Sequence, residues 1–176
     1  MQVQDIIRKS NSFYTSLSRV IDKMEKDDLK VMPEKDYQYL CEIYQPDDED
    51  LNAIMLFTST VSLNSREDVN ALASTLFFGT DEQFQEKLVV GNKTSYSHGV
   101  LMINGLVYDL SCSVNGMQLI DYIKVLLKKN KKVYLNRDSS DDQQCLLLGS
   151  ILTSEQQDAL CNPHGCSSKE FLNLQM

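Results

Sequence analysis

The sequence predicts an α+β fold, a single domain over residues 1–176 with the N-terminal helix first and helices packed on a central, mainly antiparallel sheet. Three observations predict it. Asn104-Gly105 stands between two apolar runs, and this dipeptide readily takes φ > 0 at both central positions of a type I′ turn, so a β-hairpin is expected over 96–112. Val3, Ile6, Ile7, Phe13, Tyr14, Leu17, Val20, Ile21 and Met24 recur at helical spacing. The chain has 176 residues and is 42% hydrophobic, enough to bury a core without metal or disulfide help.

Taken in order, residues 3 to about 25 read as one amphipathic helix. An alternative is a break at Ser10, which falls on the apolar stripe of an unbroken helix but would serve as the N-cap of a new one, placing Ser12 on its first turn. Polar loops around Pro33 and Pro46 then enclose 37–44, which reads as a strand carrying Cys41 on its packed face. The acidic run 47–50 reads as a solvated loop, since a calcium loop would need a glycine turn and a distal glutamate. Residues 51–63 are rich in strand formers and read as a central strand, although the first of them could be helical. Ser65-Arg66-Glu67-Asp68 resembles a capping box opening a helix closed by Gly79, and Thr80-Asp81-Glu82-Gln83 opens another.

Beyond the hairpin, a helix is expected from Asn115, with Leu119, Ile120, Ile123, Leu126 and Leu127 inward. Residues 131–135 and 145–152 read as strands, and Thr153-Ser154-Glu155-Gln156 as the cap of a short helix ending near Leu160. Residues 160–176 are a candidate loose tail.

The two-residue turn fixes the hairpin register. With Ile103 opposite Leu106, His98 falls opposite Ser111, and His98, Val100 and Met102 share a face with Val107, Asp109 and Ser111. His98 and Asp109 are then diagonal neighbours, roughly 7–8 Å apart at the backbone. A carboxylate so placed can hold an imidazole, fix its tautomer and stabilise the imidazolium, as a general base requires. A half-exposed hairpin can also carry such a pair with no chemistry attached.

The run His98-Gly99-Val100-Leu101-Met102-Ile103-Asn104-Gly105-Leu106-Val107-Tyr108-Asp109 resembles the second half of a papain-like or transglutaminase-like thiol-enzyme core, in which a His opens one strand and an Asp ends the next. The resemblance covers about fifteen residues and implies a hydrolase or acyl transferase acting on an amide of a protein substrate, as in proteolysis or glutamine deamidation. It implies His98 as general base and Asp109 as its orienting group. It also implies a nucleophile on the first turn of a helix, commonly Asn-Cys before an aromatic residue. Asn11-Ser12-Phe13-Tyr14 matches with Ser12 in place of the cysteine, so the chain departs from the family at the attacking atom, and Cys41 is the alternative nucleophile. Gln4 stands, at imperfect spacing, where the family has an oxyanion-hole glutamine. Relatives of this size often act on host proteins as effectors or toxins.

Composition bounds the rest. A net charge of −8 disfavours a phosphate backbone, so no nucleic-acid partner is expected. No apolar run is long enough to span a bilayer, and the N-terminus lacks a signal-peptide pattern, so the chain is expected in the cytoplasm or exported by a route without a leader. The five cysteines are odd in number and scattered, which fits thiols rather than a disulfide framework. Cys161, His164 and Cys166 lie within six residues, but zinc would need a fourth ligand from Cys145 or Cys112, so no metal and no cofactor is expected. Beside the hydrolase stands a second class: a non-catalytic acidic module that binds a basic protein partner as an inhibitor or effector. The two separate on whether Ser12 reaches His98.

Overall fold

A computed structural model describes residues 3–44, 56, 71–79, 97–137 and 139–174. It opens with helix α1 (Val3–Lys26), which buries Phe13, Leu17, Val20, Ile21 and Met24 along one stripe. The helix is unbroken at Ser10. Helix α2 (Glu34–Tyr44) follows, with Glu34 and Asp36 in its first turn complementing the positive end of the helix dipole.

One sheet of six strands runs β4-β3-β2-β1-β5-β6 across its width. Its members are β1 (Ala71–Gly79), β2 (Ser97–Ile103), β3 (Leu106–Asp109), β4 (Val114–Gln118), β5 (Lys132–Asn136) and the two-residue β6 (Cys166–Ser167). Every pairing is antiparallel. Helix α3 (Leu119–Lys129) follows β4; α4 (Asp142–Ile151) and α5 (Ser154–Leu160) follow β5; α6 (Ser168–Asn173) follows β6. The molecule is thus an α+β domain with its N-terminal helix first.

Both faces of the sheet are covered. On one, α1 and α2 pack over Leu101, Ile103, Tyr108 and Leu110. On the other, α3 to α6 supply Tyr122, Ile123, Leu147, Leu160 and Phe171 against Leu76, Val100, Met102, Val107 and Val133. The Tyr108 hydroxyl accepts from the Met32 backbone N–H at 3.0 Å, which pins the α1–α2 connection to the sheet. Among the described residues, no helix is long and apolar enough to cross a membrane.

Several expectations require correction. Residues 37–44 are helical: Tyr37, Leu40 and Tyr44, spaced by three and four, are buried while Tyr39 is 51% exposed, a pattern that alternation cannot produce. Residues 145–151 of the expected strand 145–152 are also helical, in a helix started by Asp141, whose carboxylate accepts from the Gln144 N–H. Their continuous apolar run carries no period to choose between helix and strand. Conversely, 71–79 is the central strand β1, bonded to β2 and β5, with the expected cap at 65–68 and the expected helix from 80 outside the described residues. The sequence spacing of Leu72, Leu76 and Phe77 also fits a helical stripe, so periodicity does not mark this segment as a strand. Residues 51–63 lie outside the described residues except Leu56, which is helical and buried.

Helix α3 starts at Leu119, four residues after Asn115, because 114–118 is consumed by β4. The capping box at Thr153 and Gln156 forms as expected. The C-terminal stretch is packed through Leu174, with β6 paired to β5 and Phe171 completely buried.

Candidate functional site

The hairpin turn places the site. Asn104 and Gly105 have φ of 54° and 79°, the left-handed pair a type I′ turn requires. Leu101, Met102 and Ile103 accordingly face Tyr108, Val107 and Leu106. Alternation then puts His98 and Asp109 on the face covered by α3, at the end of the hairpin away from the turn.

There they meet. His98 Nε2 lies 2.7 Å from Asp109 Oδ2, with side chains only 6% and 3% exposed. The other carboxylate oxygen, Oδ1, accepts from the Ser111 backbone N–H at 3.1 Å and from the Ser111 hydroxyl at 2.6 Å. Tyr122, carried inward by the first turn of α3, donates its hydroxyl to Oδ2 at 2.5 Å. Burial alone would raise the Asp109 carboxyl, but the hydrogen bond and charge of His98, with the Ser111 and Tyr122 hydrogen bonds, outweigh it and hold the group well below the usual carboxylate range.

The arrangement limits the chemistry. Ser111 Oγ also lies 3.2 Å from His98 Nε2, the nitrogen already facing Asp109. A ring nitrogen that donates to a carboxylate has no lone pair with which to take a serine proton. A nucleophilic triad needs serine and carboxylate on opposite ring nitrogens. The Ser111 hydroxyl moreover spends its hydrogen on Asp109, so Ser111 braces the pair rather than being activated by it.

The other residues singled out from sequence lie elsewhere. Ser12 is exposed in the middle of α1, which packs against the sheet face opposite His98. Gln4 is exposed in the first turn of the same helix. The structure therefore brings His98 and Asp109 together and leaves Ser12 and Gln4 across the sheet from them. Cys41 is half-buried on α2, one turn from Tyr37; burial raises its thiol pKa against the lowering effect of a Tyr37 hydrogen bond, and Glu34, Asp109 and Glu42 raise it further.

Cys166 is fully buried and its thiol is pushed up to about 11, by burial and then by Glu170. Cys161 is raised by burial as well. Among the described residues, no three His, Cys, Asp or Glu side chains converge as metal ligands. A cavity of about 560 Å³ opens at the other end of the hairpin, beside Asn104 and Gly105, between Asp28 and Leu29 on one side and Leu147 and Ile151 on the other.

Tyr122 is the participant that sequence reasoning missed. Its signal was the spacing Leu119, Tyr122, Ile123, Leu127, the stripe α3 actually buries. Ser111 was placed opposite His98 by the register, while its bracing role follows from Asp-x-Ser, in which a carboxylate caps the backbone N–H two residues on. No protein-family model matches the chain, and neither a curated protein nor a solved structure matches it.

Proposed function

We propose that this domain is a non-catalytic acidic interaction module that binds a basic protein surface, with His98 and Asp109 serving as a structural lock. The observation that carries the reading is the sharing of one His98 nitrogen by Asp109 and Ser111, while Ser12 is solvated on the opposite side of the sheet. All five cysteines lie within the described residues, and burial raises the thiols of Cys41, Cys161 and Cys166, the reverse of an activated nucleophile. The net charge of −8 supports attraction to a cationic partner.

A papain-like amide hydrolase is the second reading, favoured by one observation: a buried imidazole held at 2.7 Å by a carboxylate that stays anionic.

One paired assay separates them. Casein and a glutamine-rich protein are incubated with the chain and with His98→Ala while peptide and ammonia release are followed, and binding to a lysine-rich protein is titrated against salt. The module reading expects no release above background and binding that weakens steadily as salt rises. Release that disappears in His98→Ala would overturn it in favour of the hydrolase.

A further inference from the structure

The cavity at the hairpin tip takes no part in the His98–Asp109 lock, and its walls are the ends of two helices. Helix α1 finishes in a Schellman turn: Asp28, at φ 53°, donates its N–H to the Glu25 carbonyl at 3.2 Å, and Leu29 donates to the Met24 carbonyl at 2.8 Å. The turn brings Met24, Glu25, Asp28 and Leu29 to one wall. The other wall is the end of α4, through Leu147, Ser150 and Ile151. The hairpin tip joins them, since a Cβ on Gly105 would lie only 3.1 Å from Ile151 Cγ2.

Floor and rim differ in chemistry. Met24 and Leu147 are buried and Ile151 is half-buried, so the floor is apolar. Glu25 and Asp28 stand exposed on the rim, and among the described residues neither carboxylate has a hydrogen-bond or ion-pair partner. Lys30 is the single cation among the lining residues. Both helices also bring their C-terminal, partially negative ends here. Helix α4 has no basic residue in its last turn; of the two lysines in that of α1, Lys23 is engaged with Asp36 at 3.3 Å and Lys26 does not line the cleft.

This combination selects its occupant. An anion would meet two carboxylates and two negative helix ends, and a purely apolar ligand would leave the charged rim unused. A cation on an aliphatic stem satisfies floor and rim together, as lysine and arginine side chains do. The volume of about 560 Å³ lies within the roughly 300–1,000 Å³ typical of ligand clefts, which leaves room for the backbone flanking such a side chain. We propose that this cleft is where the domain holds its partner, taking a lysine or arginine side chain from an extended basic segment of that protein, an inference that rests on the interaction-module reading above. Met24, Leu147 and Ile151 cover the methylene stem, and Glu25 and Asp28 receive the charged head.

The test titrates the full chain into a fluorescein-labelled peptide of alternating lysine and alanine, followed by anisotropy at about 0.15 M salt, where charges more than roughly 8 Å apart are largely screened. Glu25→Gln combined with Asp28→Asn is expected to weaken binding about fivefold or more. Asparagine tolerates the left-handed backbone of residue 28, so the turn is kept. Glu42→Gln combined with Asp158→Asn removes the same charge from exposed positions outside the cleft and should change affinity by less than about twofold. Ser150→Trp, at an exposed position of α4, fills the cleft without altering charge and should weaken binding at least as much as the cleft pair. Equal weakening by the two charge pairs, or undiminished binding by Ser150→Trp, would overturn the cleft while leaving the interaction module in place. Spermidine binding as tightly as the peptide would overturn a protein segment as the occupant. A parent chain that does not bind the peptide at all would remove the module reading and the cleft with it.

Discussion

Asp109 concentrates more polar contact than any other side chain described: His98, Tyr122 and both donors of Ser111 fill its two oxygens, at 2% exposure. Removing one partner from a buried pair leaves the other without compensation, so Asp109→Asn should destabilise the fold by about 3–5 kcal/mol, read from urea denaturation at neutral pH. Tyr122→Phe deletes the hydrogen bond to the charged Asp109 carboxylate and should cost about 1.5–3 kcal/mol in the same assay. The pH dependence follows from the depressed carboxyl. Because Asp109 ionises at lower pH folded than unfolded, the unfolded chain binds more protons between the two values, and the stabilisation is lost as pH falls below about 4. Asp109→Asn should remove that part of the acid-induced loss; an unchanged acid profile would show that the carboxylate is not held by these donors.

At the scale of elements, three positions separate what is structural from what is incidental. Gly116 in β4 has φ of 82°, and a Cβ there would lie 2.9 Å from Val31 Cγ1, so Gly116→Ala should cost about 1–2 kcal/mol from the left-handed backbone alone. On α1, Ser12→Ala should shift stability by less than about 0.5 kcal/mol, whereas its neighbour Phe13→Ala should cost about 3–5 kcal/mol. A large Ser12→Ala effect would contradict its placement on the solvated face.

The same elements show what could be read from sequence. The hairpin was legible to the residue because Asn104-Gly105 sets both turn and register, and with them the meeting of His98 and Asp109. The cap at Thr153 was legible because its chemistry is local. Strand β1 and helix α4 were not: in both the apolar residues are too dense for periodicity to decide, and tertiary pairing decides instead. The choice at Ser10 turned on whether one polar residue breaks a helix, and the long apolar stripe of Phe13 to Met24 carried it through.

At the scale of the whole molecule, the sheet is the divider. Helices α1 and α2 form one core with Leu101 and Tyr108, the remaining helices form another with Val100 and Val107, and each residue of the hairpin belongs to one side or the other. This two-sided burial is what makes the His98–Asp109 pair inaccessible to anything carried by α1. Under the proposed interaction-module reading the net charge of −8 is what would attract a basic partner, and a salt-dependent affinity is the expected signature of that binding. The central claim, that no nucleophile on α1 faces His98, is tested most directly by the alkylation rate of a Ser12→Cys variant with iodoacetamide, followed by mass spectrometry at that residue, with and without His98→Ala. The predicted result is labelling near neutral pH no faster than an exposed free thiol and indifferent to His98. Rapid labelling that collapses in the His98→Ala background would mean a thiolate paired with imidazolium across the same site, and would contradict it.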